Sequence, residues 1–304
     1  MKILIPGISG LFGLNFAMQQ HQNFDIIGTV YHHALKADLF QTITLDLSTV
    51  ESGIRLVESI QPDMIINGAA VASLDLSEKH PQLAMRLNAE LPKELAMAAS
   101  QLDVPYVHLS TDAVFDGKQG QYSETDTINP INTYARTKAR GEELVQAANP
   151  DALIARINFY GWSLSGSRSL CEFHYNNLAA GKPYTGFDDL HYTPMMVGDL
   201  IDTLLEMVAL KLSGIYHVSG EESLSKYDFG VLLAEKFGFD AALVRPVSWR
   251  SLDLSAERSE NLTLDVSKLR QALRHTLPTI DDGLARLKNQ LENGYRQRLM
   301  AMQK

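Results

Sequence analysis

The stretch Gly7-Ile8-Ser9-Gly10-Leu11-Phe12-Gly13 directly follows a short apolar run, Lys2–Ile5, and opens a segment, Gly10–Gln20, whose pattern predicts a helix. Glycines at this spacing allow a tight strand-to-helix turn. They also let backbone N–H groups approach a diphosphate, which the positive end of the helix favours. Further strands are predicted at Phe24–Val30, Ile43–Leu47, Asp63–Asn67, Tyr106–Leu109 and Leu153–Ile157. Helices are predicted between them at Val50–Ile60, at His80–Leu102 with a kink at Pro92, and at Tyr134–Ala147. Strands apolar at consecutive positions and alternating with helices imply a parallel sheet covered on both faces. The expectation for residues 1–162 is therefore an α/β, doubly wound (Rossmann) dinucleotide-binding domain.

Beyond Trp162 the pattern loosens. Long loops are expected at Ser163–Arg168, Thr185–Thr193 and Val247–Glu260. These mark a smaller carboxyl-terminal substrate lobe over 163–304, with 194–220 returning to the sheet through a strand at Gly214–Val218. From Ile280 a helix runs into the basic stretch YRQRLMAMQK, read as a solvated face.

Composition narrows the partners. The 304 residues are 45% hydrophobic and 21% charged, with 27 Lys and Arg against 36 Asp and Glu, a net charge of -9. Such an acidic surface repels phosphate backbones and anionic lipids, so neither nucleic acid nor membrane is expected as a partner. The first apolar stretch is interrupted by Pro6 and three glycines and reads neither as a signal peptide nor as a membrane span. A single cysteine, Cys171, excludes an intrachain disulfide and a Cys-based zinc site. No metal site is predicted, and a soluble, cytoplasmic protein is expected.

The second predicted strand ends in Val30-Tyr31-His32-His33, with no carboxylate to take the ribose 2′-hydroxyl of NAD. The His32-His33 pair would tolerate a 2′-phosphate, which favours NADPH and leaves NADH admissible, and reads equally as two exposed loop histidines; Tyr31 and His32 are the cofactor-binding candidates at this strand end. Asp46, at the end of the third strand, reads either as an acceptor for the adenine amino group or as a strand-end cap. Tyr134-Ala-Arg-Thr-Lys138 places a phenol and an ammonium at i and i+4 on one helix face. The preceding strand ends in Ser110-Thr111-Asp112. A cation beside the phenol is expected to draw its pKa down from ~10. Such a tyrosine can protonate an alkoxide as hydride reaches a carbonyl carbon, with the Thr111 hydroxyl polarising the same oxygen.

With Asn67-Gly-Ala-Ala70, Leu87-Asn88, His108–Gly117 (HLSTDAVFDG) and Tyr134–Lys138 in this order, the chain resembles the extended short-chain dehydrogenase/reductases. Among these it is most similar to the dTDP-4-dehydrorhamnose reductase family. The resemblance implies Thr111, Tyr134 and Lys138 as the catalytic set, and Asn88 as support for the proton path. It implies a cofactor cleft lined by Gly7, Ser9, Gly10, Leu11, Phe12, Gly13, Asp46, Leu47, Ala69, Ala70, Val71, Tyr134, Lys138, Asn158 and Phe159. The implied substrate is a nucleotide-linked 4-keto-6-deoxy sugar, and the implied reaction is reduction of its ketone; a homodimer is compatible. Two departures touch the substrate side: Ala113 stands where the reductases carry Tyr, and Ser167–Phe173 (SRSLCEF) replaces an Asn-Asn-Phe string. Trp162, Phe187, His191 and Tyr192 read either as pocket residues or as packing aromatics. Two alternatives stay open, a nucleotide-sugar epimerase or dehydratase using Asp112, and a non-catalytic NADP-binding regulatory subunit.

Overall fold

The computed structural model describes residues 1–36, 38–251 and 258–304. Seven strands form the central sheet: β1 (Lys2–Ile5), β2 (Asp25–Val30), β3 (Gln41–Thr44), β4 (Met64–Asn67), β5 (Tyr106–Thr111), β6 (Leu153–Ile157) and β7 (Gly214–Val218). Their order is β7-β6-β5-β4-β1-β2-β3, and every pairing is parallel. Ile3, Leu4 and Ile5 are all fully buried, as are Met64, Ile65 and Ile66. Consecutive burial is what a sheet covered on both faces requires, and it is why these strands were legible as unbroken apolar runs. The order reverses between β1 and β4, so the crevice at their carboxyl ends is the place where such a fold binds ligands.

Three local differences from the sequence reading have physical causes. The third strand lies at Gln41–Thr44 rather than Ile43–Leu47, because pairing of Ile27–Val30 with these residues sets its register. The segment predicted as a helix over 80–102 with a kink at Pro92 is helical from Pro81 onward, but its irregularity is a π turn just before the proline rather than a bend in a uniform α-helix. It comprises Pro81–Met85, a π-helical turn at Arg86–Glu90 and a helix at Leu91–Leu102, whose first turn contains Pro92. The backbone stays right-handed helical through Met85, Glu90 and Leu91, so Pro92 is interior to the helical path, and the π turn just before it takes up the bond and the room that the proline ring denies. The π turn buries Arg86, Asn88 and Ala89. Finally, the tail is no solvated face: Tyr295, Leu299 and Met302 are buried, and the Tyr295 hydroxyl donates to Asn15 Oδ1 at 2.9 Å.

The lobe packs its helices Leu170–Ala179 and Lys226–Phe237 around Phe229 and Leu233, both fully buried. The expected loop Thr185–Thr193 contains strand residues, with His191 and Tyr192 paired to Ser225 and Leu224 on one side and to Asn261 and Leu262 on the other. The loop expected at Val247–Glu260 falls, over 252–257, outside the described residues. One cluster of buried side chains runs from Ile3 through Trp162 and Phe229 to Met302, so sheet and lobe share a core. Among the described residues no helix is long and apolar enough to cross a membrane.

Candidate active site

The glycine turn sits at the carboxyl end of β1, where Gly7 adopts a φ of 76°. A Cβ there would stand 2.7 Å from the Ala69 Cα, so only glycine lets this loop lie against the loop after β4. A Cβ on Gly13 would stand 2.6 Å from the Ile8 Cα, which fixes the close seat of the first helix, Leu11–Gln20. That helix has no side-chain cap, so its leading N–H groups meet the cleft without a side-chain acceptor. Ser9, Gly10 and Leu11 are half-buried and Phe12 is buried against Phe159, edge to face at 6.5 Å. These features fit a dinucleotide diphosphate.

The neighbouring strand ends complete the cleft. Tyr31 is exposed and lies 4.1 Å, centroid to centroid, from the His32 ring. Asp46 accepts the Ser48 N–H at 2.8 Å, and Ser48, Tyr31 and His32 hold its carboxyl below the usual range. It is thus a cap whose charge also faces the Tyr31–His32 pair; Leu47, next to it, is buried. Ala69 and Ala70 lie on the loop after β4, and Val71 is pinned by Asn88, whose Oδ1 accepts the Val71 N–H at 2.8 Å. The Asn88 amide donates to Val71 O at 3.1 Å and Thr137 Oγ1 at 3.0 Å. Asn88 is thus saturated as a clamp between the Ala69–Val71 loop and the helix Thr133–Ala148, two walls of the cleft.

At the end of β5, Thr111 Oγ1 donates to Asp112 Oδ1 at 3.1 Å. The Asn158 amide donates to Asp112 Oδ2 at 2.6 Å, which draws β5 and β6 together at the cleft. Burial pushes the Asp112 carboxyl up to about 6. Helix Thr133–Ala148 starts from Asn132, whose side chain accepts the Ala135 N–H, and delivers Tyr134 and Lys138 to the same place. Here the expectation needs correcting. The phenol is not drawn down by the ammonium; burial pushes it up to about 12, with the Thr111 hydroxyl countering only in part. The buried Lys138 amine donates to the Leu109 carbonyl at 2.6 Å, and burial lowers it to about 8. The result is a phenol that stays protonated at neutral pH.

Several residues below this surface were not singled out from the sequence. Fully buried His108 has no hydrogen-bond partner on either ring nitrogen among the described residues. Burial and the Lys138 charge keep it neutral. Glu142, one turn beyond Lys138, accepts from Ser110 at 2.5 Å and from Arg156 in a fork with its shortest arm at 2.7 Å. A signal was available, since Arg156 interrupts the apolar strand LIARI and a charge there needs a buried partner. Lys226, in the lobe, faces Asp112 across the cleft and is lowered by burial and Arg258. Of the aromatic candidates, Trp162 is fully buried with Nε1 donating to Leu287 O at 3.3 Å, and Tyr192 packs on Phe229. Phe187 is half-buried in its strand and His191 is exposed.

Sheet order, glycine turn and Tyr-Lys pair together define an extended short-chain dehydrogenase/reductase. The family model for the RmlD substrate binding domain matches residues 1–293, and the chain belongs to that family. It is 32% identical to a Haloferax volcanii protein named "Probable low-salt glycan biosynthesis reductase", over 94% of this chain and 97% of that one. It is 30% identical to dTDP-4-dehydrorhamnose reductase of Aggregatibacter actinomycetemcomitans, covering 89% of this chain and 92% of the relative. Methionine adenosyltransferase 2 subunit beta of Bos taurus is 29% identical over 88% of this chain and 81% of its own. Among solved structures, dTDP-4-dehydrorhamnose reductase from Bacillus anthracis in complex with NADP superposes with a TM-score of 0.83 at 25% identity. That match covers 94% of this chain and 98% of the other.

Proposed function

We propose that the chain is an NADPH-dependent reductase of the ketone of a nucleotide-linked 4-keto-6-deoxy sugar. The observation that carries this reading is the convergence of Thr111 and a protonated Tyr134 at the carboxyl end of β5, beside the uncapped first helix. Relatives named as dTDP-4-dehydrorhamnose reductases, one of them in complex with NADP, support the substrate class and the cofactor. When bound, the reduced nicotinamide supplies a hydride to the ketone carbon. Tyr134 gives its phenolic proton to the ketone oxygen as the carbonyl electron pair moves onto that oxygen. Thr111, whose one hydroxyl proton goes to Asp112 Oδ1 while the cleft is empty, turns that proton to the ketone oxygen when substrate is bound, and Asp112 stays held by Asn158. Lys138, one turn beyond Tyr134 on the same helix and anchored on the Leu109 carbonyl, is the group in reach of the nicotinamide ribose. A cytoplasmic, homodimeric protein belongs to the same reading.

The test is loss of reduced-nicotinamide absorbance with NADPH and NADH against a panel of nucleotide 4-keto sugars, beside cofactor binding by fluorescence. Turnover with one such sugar is the expected result. Cofactor binding without turnover on any carbonyl compound overturns the catalytic reading in favour of a non-catalytic subunit.

A further inference from the structure

The glycine turn has a second wall that belongs to neither the sheet nor the usual strand ends. A cavity of about 360 Å³ opens beside it, lined among others by Ser9, Leu11, His33, Ser165, Arg168 and Gln303. Two segments distant in sequence close it. The first is the loop 163–168, which is gathered around one buried carboxylate. Glu172 accepts from Ser163 N at 2.7 Å, Ser163 Oγ at 2.6 Å, Arg168 N at 2.9 Å and Ser169 N at 3.1 Å. Asn15 of the first helix ties the start of this loop down by donating to Trp162 O at 2.8 Å. The second is Met302–Lys304. Gln303 forms an antiparallel bridge with Leu35, and Lys36 N donates to Met302 O at 2.8 Å, just past the Tyr31-His32-His33 turn.

The electrostatics of this cavity are one-sided. The Arg168 backbone is pinned, yet its guanidinium has no hydrogen-bond or ion-pair partner among the described residues. No Asp or Glu stands among the lining residues. His33, Ser9, Ser165 and Gln303 add polar groups around it, at the position between the glycine turn and the end of β2 that faces the adenosine ribose of a dinucleotide. We propose that Arg168, with His33, Ser9 and Gln303, forms the subsite for the 2′-phosphate of NADPH. The cation that the β2 end lacks is thus delivered from the lobe. A planar guanidinium can take two phosphate oxygens at once, which a ribose 2′-hydroxyl cannot reproduce. This rests on the NADPH reading above and names the residues that decide NADPH against NADH.

The test is the dissociation constants of NADPH and NADH, by nicotinamide fluorescence, for the wild-type protein, Arg168→Ala, Arg168→Lys and Gln303→Ala. Displacement of NADPH by adenosine 2′,5′-bisphosphate and by adenosine 5′-monophosphate gives a readout free of the nicotinamide. Arg168→Ala is expected to weaken NADPH and the bisphosphate roughly tenfold while NADH moves less than about twofold. Arg168→Lys should recover part of the loss, and Gln303→Ala should produce a smaller loss of the same sign. Equal weakening of NADPH and NADH would assign Arg168 to the shared diphosphate and overturn the subsite, as would unchanged NADPH affinity. A wild-type protein that binds neither cofactor overturns the underlying reading instead. Thermal unfolding of each variant shows whether a loss of affinity reflects a loss of fold.

Discussion

The two ends of the cleft are built on opposite principles. At the glycine turn the groups presented to the cleft are backbone N–H groups, positioned because Gly7 and Gly13 allow main chain to touch main chain. Around Thr111 the groups presented are side chains, and their character comes from what buries them. Asp112 and Tyr134 are pushed up and Lys138 down. One end is a shape that a few neighbouring residues can specify. The other is a set of proton affinities that only packing can specify.

Substitutions can break this contrast, and the largest effect falls at the side-chain end. Tyr134→Phe keeps the ring and removes the hydroxyl proposed as proton donor. Turnover should fall by 10² to 10⁴, on the order expected for a lost general acid, with the NADPH dissociation constant nearly unchanged. Steady-state kinetics beside a fluorescence titration checks both halves. A variant as active as wild type would falsify the proton-donor role.

Next comes the charge pair that underlies this end. Glu142→Ala leaves Arg156 buried and unpaired, and should cost about 3–5 kcal/mol in chemical denaturation. A loss below about 1 kcal/mol would mean that water reaches Arg156, and that this end is less dry than its hydrogen bonds imply.

Asp112→Asn sharpens the contrast through pH. Burial raises the folded carboxyl to about 6 from an ordinary value of 3.8, so between these values the folded chain holds more protons than the unfolded one. Stability attributable to Asp112 is therefore full below 3.8 and declines as pH rises to about 6, by up to ~3 kcal/mol. The wild-type-minus-variant difference in unfolding free energy should trace that decline. A flat difference from pH 4 to 7 would show that Asn158 and Lys226 already offset the burial.

The smallest effect is expected at the backbone end. Gly13→Ala drives a methyl against the Ile8 main chain and should cost about 1–3 kcal/mol. It should weaken NADPH and NADH alike and leave the pH dependence of turnover unchanged. A shifted pH profile would mean that the two ends are not separable.

The same contrast explains which features were readable in advance. Lys2–Ile5 and Leu153–Ile157 appear at their predicted limits, because strands buried on both faces carry an apolar signal at nearly every residue, Lys2 and Arg156 being the exceptions. The edge strand Gln41–Thr44 was displaced in the prediction because pairing, not burial, sets its place. The buried tail was misread because Tyr295, Leu299 and Met302 are spaced among Arg and Gln. Their apolar side has meaning only against the helix that holds Asn15.

What the sequence determined by itself is the sheet, the glycine turn, and the placing of Thr111, Tyr134 and Lys138 at one edge. Each is a local matter of period, chain geometry or spacing along one helix. The tertiary structure alone decided that the phenol is raised rather than lowered, and that Asn88 is a clamp spent on Val71 and Thr137. It also decided that Arg168 and Gln303 meet beside Ser9, across more than 130 residues of chain. These depend on desolvation and on which distant groups face each other, quantities that no stretch of sequence contains.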